Sequence, residues 1–151
     1  VMTLAKGLGN GVPIGACLAK GAAADVLGPG THGSTFGGNP LVCRVALSVL
    51  ETLETENLPQ RADDLGRRML QGFRDALQDL EGVLDIRSAG LMIGIELDRP
   101  CGELVSMALE QGLLINVTRD SVIRLLPPLI IDDAEAEQIV NGVIALVREF
   151  L

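Results

Sequence analysis

Several residue types are scarce in this chain. Its 151 residues include no tryptophan, no tyrosine and only three phenylalanines, so a core drawn from its 48% hydrophobic residues must be largely aliphatic. There is one histidine, and the three cysteines, Cys17, Cys43 and Cys101, are widely spaced without a Cys-x-x-Cys pair. This pattern argues against a disulfide framework and a zinc site, and it is typical of a reducing compartment. No metal site is expected.

Positive charge is also scarce. Twelve lysines and arginines face twenty aspartates and glutamates, which gives a net charge of −8. Nucleic acid is therefore not expected as a partner, because binding to phosphates needs clustered basic side chains. No apolar run approaches the roughly 18 residues of a membrane span, and no signal-peptide pattern stands at the start. The composition predicts a cytoplasmic protein without a membrane partner.

Residues 1–57 form the first of two regions that the patterning distinguishes. The apolar residues 1–5 predict the end of a buried strand, and residues 14–19 predict a second short strand. A loop rich in glycine and hydroxyl groups follows. Pro40 occupies the favoured first-turn position of a long helix, for which Asn39 is the expected N-terminal cap.

Residues 58–151 have a different pattern, which reads helix, strand, strand, helix, strand, strand, helix. The first of these helices is expected at about residues 60–80, and Asp132 and Asp133 are expected to cap the last one. The order predicts a fold of the α/β class with a small α+β domain. In that domain helices cover a small, mostly antiparallel sheet.

Lys6 stands out because it ends a short apolar run and is followed by glycines, in residues 3–15 with the sequence TLAKGLGNGVPIG. A lysine amine held at a strand end can act as a nucleophile towards an aldehyde once it is deprotonated. The alternative is an ordinary exposed lysine. The glycines do not form a dinucleotide-binding fingerprint, because another strand, rather than a helix, follows them.

The loop at residues 31–40, with the sequence THGSTFGGNP, offers two neighbouring hydroxyl groups, Ser34 and Thr35, among glycines. Hydroxyls and accessible backbone N–H groups of this kind bind phosphate. On composition alone, a flexible turn before a helix is the favoured interpretation. His32 lies in the same loop and is given no catalytic role.

Arg124 lies in the apolar segment 122–129, with the sequence VIRLLPPL. An arginine buried in such a strand needs an anionic partner, and its guanidinium matches a carboxylate at two points. The partner could be a ligand or a nearby acidic residue of the chain. The segment 91–97 is interpreted as a structural strand in which Gly94 permits close approach.

Together these segments resemble the class III pyridoxal-phosphate-dependent aminotransferases, most closely the acetylornithine aminotransferase branch. The resemblance implies that Lys6 is the Schiff-base lysine of pyridoxal 5'-phosphate. It also implies that Thr35 binds the cofactor phosphate, reaching into the partner subunit's site, and that Ser34 lies against the substrate. Arg124 would hold the α-carboxylate of an amino or keto acid. Asn10 stands where the family usually has glycine, and asparagine tolerates the left-handed backbone expected there.

The resemblance also implies how the chain is organised. Residues 1–57 correspond to the tail of the large cofactor-binding domain of a fold-type I transferase, with the connecting helix, and residues 58–151 to its C-terminal small domain. The sequence has no initiator methionine and is expected to be the C-terminal portion of a longer homodimeric enzyme with shared active sites. By itself it is expected to bind the cofactor poorly and to be inactive.

The implied activity is transfer of the terminal amino group of N-acetylornithine to 2-oxoglutarate, a step of arginine biosynthesis. Ornithine, succinylornithine and 4-aminobutyrate aminotransferases share the same types of site residue and stay open as alternatives. An alternative of another class is a noncatalytic α+β association module, which the high aliphatic content would suit.

Overall fold

A computed structural model describes all 151 residues. The chain separates into two compact units, Val1–Asn57 and Leu58–Leu151. None of the helices combines the length and the apolar character needed to cross a membrane.

The first unit contains a two-stranded antiparallel sheet and one long helix. Strand β1 (Met2–Leu4) pairs with β2 (Ala16–Leu18), and helix α1 covers Pro40–Thr55. The side chain of Asn39 accepts a hydrogen bond from the backbone N–H of Val42, so the predicted cap is confirmed. A cap of this kind satisfies one of the N–H groups that a helix start leaves without a partner.

The second unit is built on a four-stranded antiparallel sheet with strand order β3-β4-β6-β5. Its strands are β3 (Val83–Ala89), β4 (Met92–Leu97), β5 (Asn116–Thr118) and β6 (Val122–Leu125). The predicted antiparallel sheet is confirmed. Arg119 and Asp120 have φ values of 50° and 63° in the turn that joins β5 to β6, a backbone conformation that lets a tight hairpin follow the twist of its strands.

Three helices complete the second unit: α2 (Leu58–Leu77), α3 (Leu104–Glu110) and α4 (Asp133–Phe150). Helices α2 and α4 pack against each other, and α2 packs on the sheet. The core between them is aliphatic apart from one aromatic side chain, Phe73, as the composition predicts. Asp132 caps α4 in a reciprocal capping box with Glu135, so the predicted start of this helix is confirmed.

Three details differ from the expectations. Strand β1 is not buried, because Met2 is 58% exposed and the other two residues of the strand are also exposed. Helix α2 begins at Leu58 rather than near residue 60, since Pro59 fits the first turn of a helix, where no backbone N–H is needed. The close approach expected at Gly94 is absent in this chain: a Cβ there would meet its nearest neighbours at 3.7 Å, an ordinary contact distance.

Candidate active site

Lys6 follows the end of β1 and begins a short 3-10 turn, Lys6–Leu8. Its φ is 53°, in the left-handed region that non-glycine residues seldom adopt. Such backbone costs about 1–3 kcal/mol and is concentrated at functional sites. The side chain is exposed and forms no ion pair within the chain, so its amine is available to another group.

The glycines after Lys6 shape the turn that carries it. The backbone N–H of Gly9 donates to the Lys6 carbonyl at 3.1 Å, and a Cβ at Gly9 would lie 2.0 Å from the Val12 carbonyl oxygen. No side chain fits there without moving the backbone. Asn10 has a φ of 44°, which confirms the left-handed conformation expected at this position. Helix α1 contacts the 3-10 turn, so the turn is supported from within the first unit.

The loop before α1 presents its hydroxyl groups to solvent. The Ser34 hydroxyl accepts a hydrogen bond from the backbone N–H of Gly37 at 3.1 Å, which closes the loop on itself. Thr35 is exposed and its hydroxyl forms no hydrogen bond within the chain. Gly38 has a φ of 68°, so glycine is favoured where the loop turns into the helix. The loop therefore leaves one hydroxyl group, that of Thr35, without a partner in the chain.

Arg124 lies in β6 on the face of the sheet that is turned away from the helices. Its neighbours Ile123 and Leu125 point into the core, whereas Arg124 is exposed. The expectation of a buried arginine was therefore wrong. Its guanidinium Nη2 donates to the Asn116 Oδ1 at 3.0 Å and has no acidic partner in the chain, so the alternative of a local carboxylate partner is also wrong.

Arg124 shares a shallow depression of about 320 Å³ with a second arginine, Arg87 in β3. The two arginines differ in their partners. Arg87 Nη1 lies 2.6 Å from Asp85 Oδ2 and 2.7 Å from Glu96 Oε2, and these hydrogen bonds raise the pKa of Arg87 above its ordinary value. Arg124 is therefore the guanidinium of the depression that has no carboxylate partner.

The candidate site residues divide between the two units. Lys6, Ser34 and Thr35 belong to the first unit and Arg124 belongs to the second. The sequence pattern did not predict that Arg87 pairs with the two carboxylates of Asp85 and Glu96. Arg87 and Glu96 each stand one residue from a core position of a predicted strand, which is the signal that places both on the outer face. No group of three or more His, Cys, Asp or Glu side chains is arranged to hold a metal ion.

Comparison with known proteins identifies the family. The model of the family described as Aminotransferase class-III matches residues 1–147. The chain belongs to this family. It is 57% identical over 150 residues to an acetylornithine aminotransferase of Nitrosomonas europaea, covering 99% of this chain and 38% of that protein. It is 53% identical over 151 residues to acetylornithine aminotransferase 1 of Bordetella bronchiseptica, covering 100% of this chain and 38% of that protein.

A solved structure extends the likeness to the fold. The ornithine aminotransferase of Toxoplasma gondii, crystallised with oxidised glutathione, superposes with a TM-score of 0.88 at 39% identity, covering 95% of this chain and 35% of that chain. That structure has partial occupancy of PLP at its active site. The predicted fold class is confirmed. The class-III chain described here spans 38% of the length of the curated relatives it matches.

Proposed function

We propose that this class-III chain is part of a pyridoxal 5'-phosphate-dependent acetylornithine aminotransferase. The reaction moves the terminal amino group of N-acetylornithine to 2-oxoglutarate in arginine biosynthesis. The observation that carries the proposal is the identity of 53–57% with acetylornithine aminotransferases along practically the whole chain. This identity spans the segments of Lys6, Thr35 and Arg124.

The chain's residues fit the cofactor by their chemistry. The Lys6 amine is exposed and has no ion-pair partner in the chain, so it is accessible for a covalent bond with an aldehyde once it is deprotonated. An exposed hydroxyl at Thr35, without a partner in the chain, is suited to a phosphate. When bound, pyridoxal phosphate supplies an aldehyde for that bond and a ring that withdraws electrons from the substrate.

Lys6 has two tasks in this proposal. It holds the cofactor covalently before the substrate arrives. When it is not bound to the cofactor, the Lys6 amine would move a proton on and off the substrate carbon as general acid and base. A flexible lysine side chain suits both tasks, because its amine can reach neighbouring atoms from one backbone position.

Ser34, Thr35 and Arg124 bind and orient in this proposal. Thr35 donates its hydroxyl to the cofactor phosphate, and Ser34 lies against the substrate. Arg124 binds the α-carboxylate of the amino or keto acid through two parallel hydrogen bonds, the strongest geometry available to a guanidinium. Its lack of an acidic partner supports this role, since no carboxylate of the chain competes with the ligand.

The enzyme is further proposed to be a cytoplasmic homodimer in which Thr35 of one subunit completes the site of the other. Large apolar side chains of the first unit are exposed in the single chain: Phe36 is 81% exposed and Leu41 is 73% exposed. Their exposure supports the proposal that a partner subunit covers this surface. Sedimentation of the active enzyme measures this directly. A fully active monomer would contradict it.

A chimeric enzyme tests the proposed activity. In it, this chain replaces the matched segment of the Nitrosomonas europaea acetylornithine aminotransferase, to which it is 57% identical. The chimera is expected to keep at least about a tenth of the host's kcat/KM for N-acetylornithine. The values of kcat/KM for ornithine, succinylornithine and 4-aminobutyrate as amino donors are measured and compared with the value for N-acetylornithine. A folded but inactive chimera, or one whose preference moves to another donor, contradicts the proposal.

The 151 residues alone are expected to bind pyridoxal phosphate poorly and to transaminate negligibly, because they cover 38% of the relatives' length. Titration with the cofactor, followed by visible absorbance, measures the binding. Turnover at the chimera's rate would refute this expectation.

A further inference from the structure

Gly94 occupies the centre of a row of four residues that crosses the exposed face of the second unit's sheet. In the strand register, Gly94 pairs with Arg87 on one side and Arg124 on the other, and Arg124 pairs with Asn116. Paired residues of antiparallel strands have Cα atoms roughly 4.5–5.5 Å apart. The two arginines therefore stand on either side of a position that has no side chain.

The fold itself does not require glycine at this position. Gly94 is not among the residues with positive φ. A Cβ there would lie 3.7 Å from Arg87 Cγ and 3.7 Å from Val122 Cγ1, both ordinary contacts. Gly66 is the opposite case, because a Cβ there would lie 2.1 Å from the Gly90 carbonyl oxygen.

Glycine inside a strand lowers stability relative to alanine, so it needs a reason. It often marks a place where a ligand or another backbone approaches closely. At Gly94 the missing side chain leaves open the floor of the depression that Arg87 and Arg124 line. Either an ionic ligand or a backbone segment would fill this space. Only the binding of the ionic ligand would depend on the charges around it.

The charges around the floor favour an anionic ligand. Arg87 is neutralised by Asp85 and Glu96, whereas Arg124 is bonded only to the neutral amide of Asn116. The depression thus has one uncompensated guanidinium directly beside Gly94. One such group matches one carboxylate, and the carboxylates around Arg87 repel a second.

We propose that Gly94 is a specificity-determining residue of the carboxylate subsite at Arg124. Its missing side chain gives a single carboxylate, with the carbon chain attached to it, the space to reach the guanidinium. The inference rests on the proposed function of Arg124. It predicts that side-chain size at position 94 controls the affinity for the carboxylate, without a matching loss of stability.

The test measures binding directly on the 151-residue chain. The backbone N–H resonances of Ser88 and Thr118, which line the depression and are present in every variant, are followed by NMR during titration with 2-oxoglutarate, and the neutral dimethyl ester serves as the uncharged probe. Affinity is expected to weaken several-fold for Gly94→Ala and at least about tenfold for Gly94→Val, since added methyl groups take the ligand's space. The matched control is Gly102→Ala, because Gly102 has no atom within 4 Å of an added Cβ and lies outside this depression.

The outcomes separate the two levels of the proposal. If Arg124→Gln abolishes binding and both Gly94 variants bind as the unaltered chain does, the inference fails and the carboxylate site stands. If the unaltered chain shows no saturable shift, or Arg124→Gln binds equally well, the carboxylate site itself fails and the inference with it. Thermal unfolding of each variant identifies loss of fold, and a Gly94→Ala variant that loses stability overturns the claim that the fold does not require glycine.

Discussion

The two units of the chain differ in the size of their hydrophobic cores. Every residue of the hydrophobic core cluster lies in the second unit, whereas the first unit buries only Gly9 and Ala46. The first unit nevertheless carries Lys6, Ser34 and Thr35. Lys6 and Thr35, proposed to hold the cofactor, and Ser34, proposed to lie against the substrate, thus sit on the part of the chain with little core of its own. Arg124, proposed to bind the α-carboxylate, sits on a well-packed sheet.

This difference teaches that stability and chemistry can be altered separately in this molecule. Substitutions in the second unit's core should unfold it, whereas substitutions at the first unit's exposed residues should change function with little effect on unfolding. The contrast can be measured by substituting two residues of the same type, one of which is expected to matter for the property measured and the other not.

The two lysines of the chain provide the largest expected contrast. In the chimeric enzyme, Lys6→Ala is expected to lower kcat by at least about a thousandfold, because it removes both the covalent bond and the general base. Lys20→Ala, also at an exposed position, is expected to leave kcat within about twofold. Steady-state kinetics with N-acetylornithine measures both. Comparable losses in the two variants would contradict the assignment.

Two phenylalanines provide the corresponding contrast in stability. Phe73 is 0% exposed in the second unit's core, and Phe36 is 81% exposed in the loop of the first unit. Phe73→Ala should lower the free energy of unfolding by about 3–5 kcal/mol through lost burial and the cavity it leaves. Phe36→Ala should change it by no more than about 0.5 kcal/mol. Urea denaturation of the 151-residue chain measures the free energy of unfolding of both variants. An equal loss of stability in the two variants would contradict the contrast between the units.

The two helix caps sharpen the same comparison. Asp132→Ala removes the capping box of α4 and should cost the second unit about 1 kcal/mol. Asn39→Ala should cost α1 a similar amount but leave the second unit's denaturation midpoint unchanged. Hydrogen exchange of the two helices separates the effects. Faster exchange in α4 after Asn39→Ala would show that the units do not unfold separately.

Much of this architecture could be predicted from the sequence because its signals are local. Asn39 before Pro40, and Asp132 before an acidic first turn, mark helix starts through the hydrogen bonds of a single turn. Strand β3 lies between Gly82 and Gly90, which mark both of its ends in the sequence. The sequence could not show that β1 is exposed, since two of its three residues, Met2 and Leu4, are apolar.

The misjudged burial of Arg124 has a specific cause. Val122 lies on the outer face of the sheet with Arg124 but is itself buried, so the strand lacks the alternation that marks a half-exposed strand. The placement of Arg87, Gly94 and Arg124 in one row depends on pairing between distant strands. No local signal encodes that register. Likewise, Lys6 and Thr35 are proposed as site residues through family resemblance, because a single lysine or threonine has no distinctive periodicity.

The smallest expected effect is a pH dependence in the second unit. The hydrogen bond from Arg68, at 2.7 Å, and its charge hold the pKa of Asp133 below its ordinary value of 3.8. A lowered pKa in the folded state means that the stabilisation is complete above pH 3.8 and is lost as the pH falls through the lowered value. The effect is small because both side chains are exposed.

Replacing the carboxylate tests this dependence. Asp133→Asn should flatten the acid side of the stability–pH curve slightly, measured by thermal unfolding between about pH 2 and pH 6. Asp75→Asn is the control, since Asp75 accepts a hydrogen bond from Gln71 and forms no ion pair. An identical flattening in both variants would contradict a specific Arg68–Asp133 contribution.

Borohydride reduction of the chimeric enzyme with pyridoxal phosphate, followed by mass-spectrometric mapping of its peptides, tests the central claim most directly. The reduction fixes a cofactor–lysine bond as a stable amine. The chain offers only Lys6 and Lys20 as lysine side chains. The account predicts that the label lies on Lys6 and disappears in Lys6→Ala but persists in Lys20→Ala. A label on Lys20, or on a lysine of the host segment, contradicts it.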